Sequence, residues 1–209
     1  MRPTREHATN AGHTYMITSQ TWGRRDLFSK ERWASLLVDT IYHYRGTAYS
    51  LHAFVVMPDH IHVLLTPKTS LEKAAQFIKG GFSYRAKKEL GSNMEIWQKG
   101  FSDHRIRDLA DYEGYVVYIH ENPVRKGLCE RASEFPYSSA HSGFEVDPVP
   151  PGLKPENFNE ARTARLEAAP LQSNALDGAR LEGVPFQNKY PNGAAKLAPF
   201  QSSNRKTAS

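Results

Sequence analysis

The chain has 209 residues with 27 Lys and Arg against 22 Asp and Glu, a formal net charge of +5, enough length for one ordinary domain plus additional material. Its 39% hydrophobic content suits a globular core, no apolar run approaches a membrane span, and the polar stretch Met1 to Gly12 lacks a secretory signal, so a cytoplasmic protein is expected. A single cysteine, Cys129, excludes an internal disulfide framework and a cysteine zinc cluster, and the pI of about 9.3 is compatible with a polyanionic partner.

Thr14 to Thr18 is a short β-prone run, followed by a polar connection over Trp22 to Arg25. Apolar residues at Leu27, Trp33, Leu36, Leu37, Val38, Ile41 and Tyr44 predict a helix over Asp26 to Tyr44, stopped by Arg45-Gly46. Tyr49 to Met57 reads as a strand with Leu51, Ala53, Val55 and Met57 on one face. Pro58-Asp59 makes a tight turn into a second strand, His60 to Thr66, closing a hairpin. Ser70 caps a helix reaching Leu90, which Gly80-Gly81 should weaken or bend. A short strand over Asp103 to Arg107 and a helix over Leu109 to Asn122, ended by Pro123, complete the folded part.

The order β-α-β-β-α-β-α predicts an α+β, ferredoxin-like split βαβ antiparallel sheet with an added C-terminal helix. The first two helices should cover one sheet face and the third should lie near the other. Beyond Gly143 the composition turns to Pro, Asn, Ser and Ala, and large apolar residues lose any sustained period. We therefore expect a domain over 1–144 and a Pro-rich, mostly disordered tail over 145–209, with at most a short helix around Glu160 to Ala168.

Chemistry concentrates in Pro58-Asp59-His60-Ile61-His62. Two positions apart on a strand, His60 and His62 share a face, while Ile61, Val63 and Leu65 point to the other. A bare His-x-His is more often a hydrogen-bonded pair than a metal site; a shared divalent metal is the sharper reading. On the last helix Leu109, Tyr112, Val116 and Ile119 form a core stripe. Asp111, Tyr115, Tyr118 and Asn122 form a second one. Tyr118 and Asn122, four apart, can offer a phenolic and an amide oxygen together.

Here a resemblance becomes specific. Val55 to Leu65 resembles the histidine–hydrophobic–histidine (HUH) motif of single-tyrosine transposases. Trp97-Gln98, Phe101, His104, Arg105 to Asp108, Tyr118 to Leu128 and Phe135 to Ser139 resemble the REP-associated tyrosine transposase branch of the insertion-sequence transposases. The resemblance covers about Thr14 to Ser142 and not the tail. It implies a bacterial, nucleoid-associated transposase, with His60 and His62 as metal ligands and Tyr118 as nucleophile. Asn122 would complete the metal site where the wider family has Gln, one methylene longer. It also implies Mg²⁺ or Mn²⁺, a 5′-phosphotyrosine intermediate, and single-stranded DNA with REP-like or transposon-end hairpins as partner. The protein would act as a monomer or homodimer.

Tyrosine, with a pKa of about 10, is a weak nucleophile at neutral pH and needs a polarised, oriented phosphate. Arg105, Arg107, Arg125, Lys126 and His104 are candidate DNA contacts on this side of the sheet. Tyr84, on the helix behind the sheet, and Tyr115, with no polar ligand one turn on, are weaker candidates for the nucleophile. Two other readings use the same sheet: a non-catalytic single-stranded nucleic-acid binder, which would not need His60, His62 and Tyr118 together, and a metal-dependent hydrolase that releases a 5′-phosphate through water, which needs the metal but not Tyr118.

Overall fold

The structure is a computed structural model and describes residues 12–153. Four strands form one sheet in the order β2-β3-β1-β4: β1 is Tyr15–Gln20, β2 Tyr49–Met57, β3 His60–Pro67 and β4 Ser102–Arg105. Every neighbouring pair is antiparallel. With the helices α1 (Glu31–Tyr44), α2 (Leu71–Leu90) and α3 (Leu109–Arg125), this is the ferredoxin-like arrangement with an added third helix that the element order implies.

The sheet has two buried faces, and strand alternation sorts side chains between them. Ile17, Phe54, Val56, Ile61, Val63 and Leu65 pack with Leu37 and Ile41 of α1 and with Ile78 and Phe82 of α2. Ala53, Val55, Met57 and Leu64 face the other way and pack with Tyr112 and Ile119 of α3. Each such aliphatic or aromatic side chain, fully buried, is worth about 1.5–3 kcal/mol, so both faces hold the sheet firmly. His60 and His62 lie on the α3 face, as their alternation with Ile61 and Val63 requires.

Four local features depart from the sequence reading or add to it. Leu51 does not share a face with Ala53: the register passes from Leu51↔Leu65 to Ala53↔Leu64, so His52 is an extra residue in a bulge and Leu51 turns toward α1 and α2. The first helix does not begin at Asp26. A 3-10 turn over Leu27–Ser29 comes first, pinned by the Phe28 N–H donating to Pro58 O at 2.9 Å, and α1 starts at Glu31. Gly80-Gly81 lies within the continuous helix α2, and it adds a role that the sequence reading did not include: a Cβ on Gly81 would stand 2.6 Å from Tyr44 Cε2, so that glycine lets α1 come close. Pro123 sits inside α3, which runs on to Arg125. The helix is closed by Gly127 at φ +67°, with Leu128 N–H donating to Pro123 O and Gly127 N–H to Val124 O, a Schellman end.

The expected boundary at 144 also moves. Asp147 accepts from the Arg45 guanidinium at 2.9 and 3.2 Å and from Leu51 N–H at 2.7 Å, while its own N–H donates to Leu51 O. Val149 and Leu153 pack against the α3-side core. The sparse apolar pattern hid this because the segment is held mainly by polar contacts. With residues 137–139 it lines the outer edge of β2: Val56 N–H donates to Tyr137 O, Phe54 N–H to Ser139 Oγ, and Ser139 N–H to Phe54 O. The rest of the expected tail, including the helix around Glu160, lies outside the described residues. Among the described residues no helix is long and apolar enough to cross a membrane.

Candidate active site

β3 and α3 bring the paired histidines and the tyrosine together. The His60 and His62 ring centroids are 4.9 Å apart, and the Tyr118 ring meets His62 edge-on at 5.2 Å. Both histidines are buried, as is Asn122, one helical turn beyond Tyr118. The Arg125 guanidinium lies 5.5 Å over the Tyr118 ring, and the Tyr115 ring meets it edge-on at 6.2 Å.

Each histidine is oriented through Nδ1. The His60 Nδ1–H donates to Asp59 Oδ1 at 2.5 Å. The other Asp59 oxygen meets Arg24 Nε at 2.8 Å. Burial acts to raise the Asp59 carboxyl, but His60 and Arg24 outweigh it and hold it below the usual carboxylate value. Thr18, which pairs with His62 across β1 and β3, places its hydroxyl 2.7 Å from His62 Nδ1 and donates to Met16 Sδ at 3.4 Å. A metal bound at Nε2 of either ring needs the tautomer in which Nδ1–H donates, to Asp59 in His60 and to the Thr18 hydroxyl in His62. Burial, then the neighbouring His60, pushes His62 down to about 3, so it is neutral at physiological pH.

These donors suit a divalent cation held by two neutral imidazoles and completed by oxygen. Among the described residues no group of three or more His, Cys, Asp and Glu could hold a metal. Asn122, the further ligand expected from the sequence, is buried on α3.

The expected DNA contacts divide. His104, Arg105 and Arg107 line an open recess at β4 with Asp103. His104 Nε2 is 3.0 Å from Asp111 Oδ2, which also accepts the Arg107 N–H, and its ring lies 4.6 Å from Tyr115. Arg105 reaches His13. This recess joins Tyr118 through Tyr115. Arg125 and Lys126, both exposed, sit at the far end of α3. Tyr84 is exposed on α2, the helix on the opposite face. Sequence reasoning missed Thr18, Arg24 and the Asp59 carboxylate. Asp59 was readable only as a turn former, and the other two reach the site through strand register and a 3-10 turn.

Paired histidines on a strand thus lie beneath a tyrosine-bearing helix on a ferredoxin-like sheet. The chain belongs to the IS200-like transposase family, whose description, transposase IS200 like, matches residues 10–122. Within it the chain is of the REP-associated tyrosine transposase type. It is 29% identical over 133 residues to the REP-associated tyrosine transposase of Escherichia coli K12, covering 62% of this chain and 78% of that one. It is 30% identical over 141 residues to a Haemophilus influenzae protein assigned to the same type, covering 58% of this chain and 80% of the relative. A solved structure of a REP-associated tyrosine transposase bound to a REP hairpin aligns with a TM-score of 0.53 at 22% identity, over 88% of this chain and all of that one. At that identity the likeness is one of fold.

Proposed function

We propose that this transposase nicks and rejoins hairpin-associated single-stranded DNA, with Tyr118 as nucleophile and His60, His62 and Asn122 holding Mg²⁺ or Mn²⁺. The observation that carries the reading is the edge contact of the Tyr118 ring with His62, which sets the phenol beside the paired imidazoles. A divalent cation bound there would neutralise charge on a non-bridging oxygen of the scissile phosphate. The chain's own residues do the rest. α3 aims the Tyr118 hydroxyl, and Arg125 and Tyr115 brace its ring.

Attack by Tyr118 Oη on phosphorus forms a 5′-phosphotyrosine and breaks the bond to O3′. The phenol gives up its proton and the leaving oxygen ends as a 3′-OH. One phosphate ester replaces another, so a second 3′-OH can reverse the step without a nucleotide cofactor. Arg105, Arg107 and His104 at the β4 recess, with Arg125 and Lys126, supply positive charge and ring surface for the unpaired strand.

The test is a hairpin-flanked single strand incubated with protein and Mg²⁺. Wild type is expected to form a covalent adduct that EDTA suppresses. Tyr118→Phe, which keeps the ring and loses the oxygen, is expected to form none while binding the strand within a few-fold. Free cut ends without adduct would support hydrolysis through water, and an intact strand with wild type would support a binding protein. Adduct of normal yield from Tyr118→Phe would overturn the nucleophile.

A further inference from the structure

The turn after β1 holds a residue in an unfavourable conformation. Arg24 has φ +53°, the only non-glycine residue at positive φ among the described residues. The left-handed region is disfavoured for any residue with a Cβ, and such conformations persist only where their surroundings enforce them. Here the enforcement is visible. Thr21 fastens the turn to the hairpin: its N–H donates to Asp59 O at 2.9 Å, and its hydroxyl lies between Arg25 O at 2.8 Å and Asp59 O at 3.0 Å. The Arg24 N–H donates back to Thr21 O at 3.1 Å. The side chain then delivers its Nε to Asp59 Oδ2 at 2.8 Å.

That ion pair does little for folding. Half of the Arg24 side chain, 52%, is exposed, and exposed pairs contribute little. The effect of the contact is local instead. With one Asp59 oxygen held by Arg24 and the other by the His60 Nδ1–H, the carboxylate cannot rotate, and the imidazole is fixed in tautomer and in tilt.

We propose that Arg24 is a positioning residue of the paired-histidine site, acting on His60 through Asp59 so that Nε2 is presented ready for a divalent cation. The inference rests on the reading of His60 and His62 as metal ligands. Arg24 touches neither cation nor DNA in this role, and the left-handed backbone is the cost of bringing a guanidinium from the β1 side across to the β2–β3 turn.

The experiment measures Mn²⁺ affinity of the full chain without DNA, by electron paramagnetic resonance, beside adduct yield and thermal midpoint. Arg24→Gly removes the guanidinium and suits the left-handed backbone, so its thermal midpoint is expected to match or exceed wild type. Its Mn²⁺ affinity is expected to fall about 3- to 10-fold, and Asp59→Asn to lose about 10-fold or more, the usual scale for groups that orient metal ligands. Arg24→Gly on the Asp59→Asn background should change nothing further, because the path runs through that carboxylate. Arg32→Ala, which loses an equal charge from the exposed face of α1, should bind Mn²⁺ as wild type does. An unchanged Mn²⁺ affinity in Arg24→Gly, or a loss that simply adds to that of Asp59→Asn, would overturn the proposal. If wild type takes up no Mn²⁺, or takes it up equally after His60→Ala and His62→Ala, the metal reading itself falls and this inference with it.

Discussion

At the scale of single residues the two histidines are supported unequally. His60 leans on a carboxylate near the surface, whereas His62 is deeper and has only the Thr18 hydroxyl at Nδ1. Thr18→Val preserves shape and β propensity but leaves that buried Nδ1 without its hydrogen-bond partner. A stability loss of about 1–2 kcal/mol is expected from the unmet hydrogen bond, read in urea unfolding. Mn²⁺ affinity and adduct yield should drop by about 10-fold or more. A variant that unfolds normally and binds Mn²⁺ at full strength would show that His62 needs no such orientation. The geometry of the candidate site was legible in the sequence where it follows spacing along one element: His60 beside His62 by strand alternation, Tyr118 and Asn122 one turn apart on α3. It was not legible where chemistry depends on pairing between elements. Thr18 meets His62 because β1 and β3 adopt one register, and nothing in either strand alone states that register.

Elements were readable to the extent that their apolar period was regular. The β2–β3 hairpin, α2 and the core stripe of α3 came through, since each buries a face whose spacing is printed in the chain. Three things did not: the bulge at His52, which costs the strand its simple alternation, the 3-10 turn before α1, and the continuation of α3 through Pro123. Proline lacks an N–H, but in a last helical turn that loses one bond, and the Schellman closure at Gly127 restores order just beyond. The glycine pair in α2 separates two roles that one rule would merge. A Cβ at Gly80 meets only Gln76 Cγ, at 3.9 Å, so Gly80→Ala should stabilise by up to about 1 kcal/mol through helix propensity. At Gly81 the same methyl would drive into the Tyr44 ring, which also packs on Phe77 at 4.9 Å. Gly81→Ala is expected to cost about 1–3 kcal/mol. Opposite shifts of the two thermal midpoints are the expected result, and equal shifts would mean that α1 and α2 are not held at this spacing.

Across the whole molecule, the chain after α3 returns to the sheet. A chain ending at Leu153 should unfold about 5–10 °C above one ending at Phe144, because the shorter one loses the Asp147 contacts, worth about 2 kcal/mol for hydrogen bonds to a charged group. Burial tends to raise the Asp147 carboxyl, but Arg45 and the Leu51 N–H more than offset this and hold it below the ordinary value. Its contribution is thus complete above the usual aspartate pKa of about 3.9 and disappears as pH falls through the lower folded value. The gap between the two chains should be full at pH 7 and should close in strong acid. Burial also lowers His52, so below an ordinary imidazole pKa of about 6.5 the unfolded chain takes up a proton that the folded one refuses. Acid therefore begins to weaken the longer chain, in which His52 lies against Asp147 and Pro148, before the Asp147 contribution is lost. An equal midpoint for the two chains at neutral pH would count against the strap.

The same returning stretch has a consequence for how copies of the molecule meet. A strand at the border of a sheet offers a row of bare amides and carbonyls, the template on which a foreign strand can grow. On the outer side of β2 that row is already answered from within, at Leu51, Phe54 and Val56, by Asp147, Ser139 and Tyr137. The opposite border, β4, is only four residues long and carries Asp103 and Arg105. Short length and charge blunt one side and an internal splint closes the other, so the sheet is finished at both ends and resists runaway polymerisation.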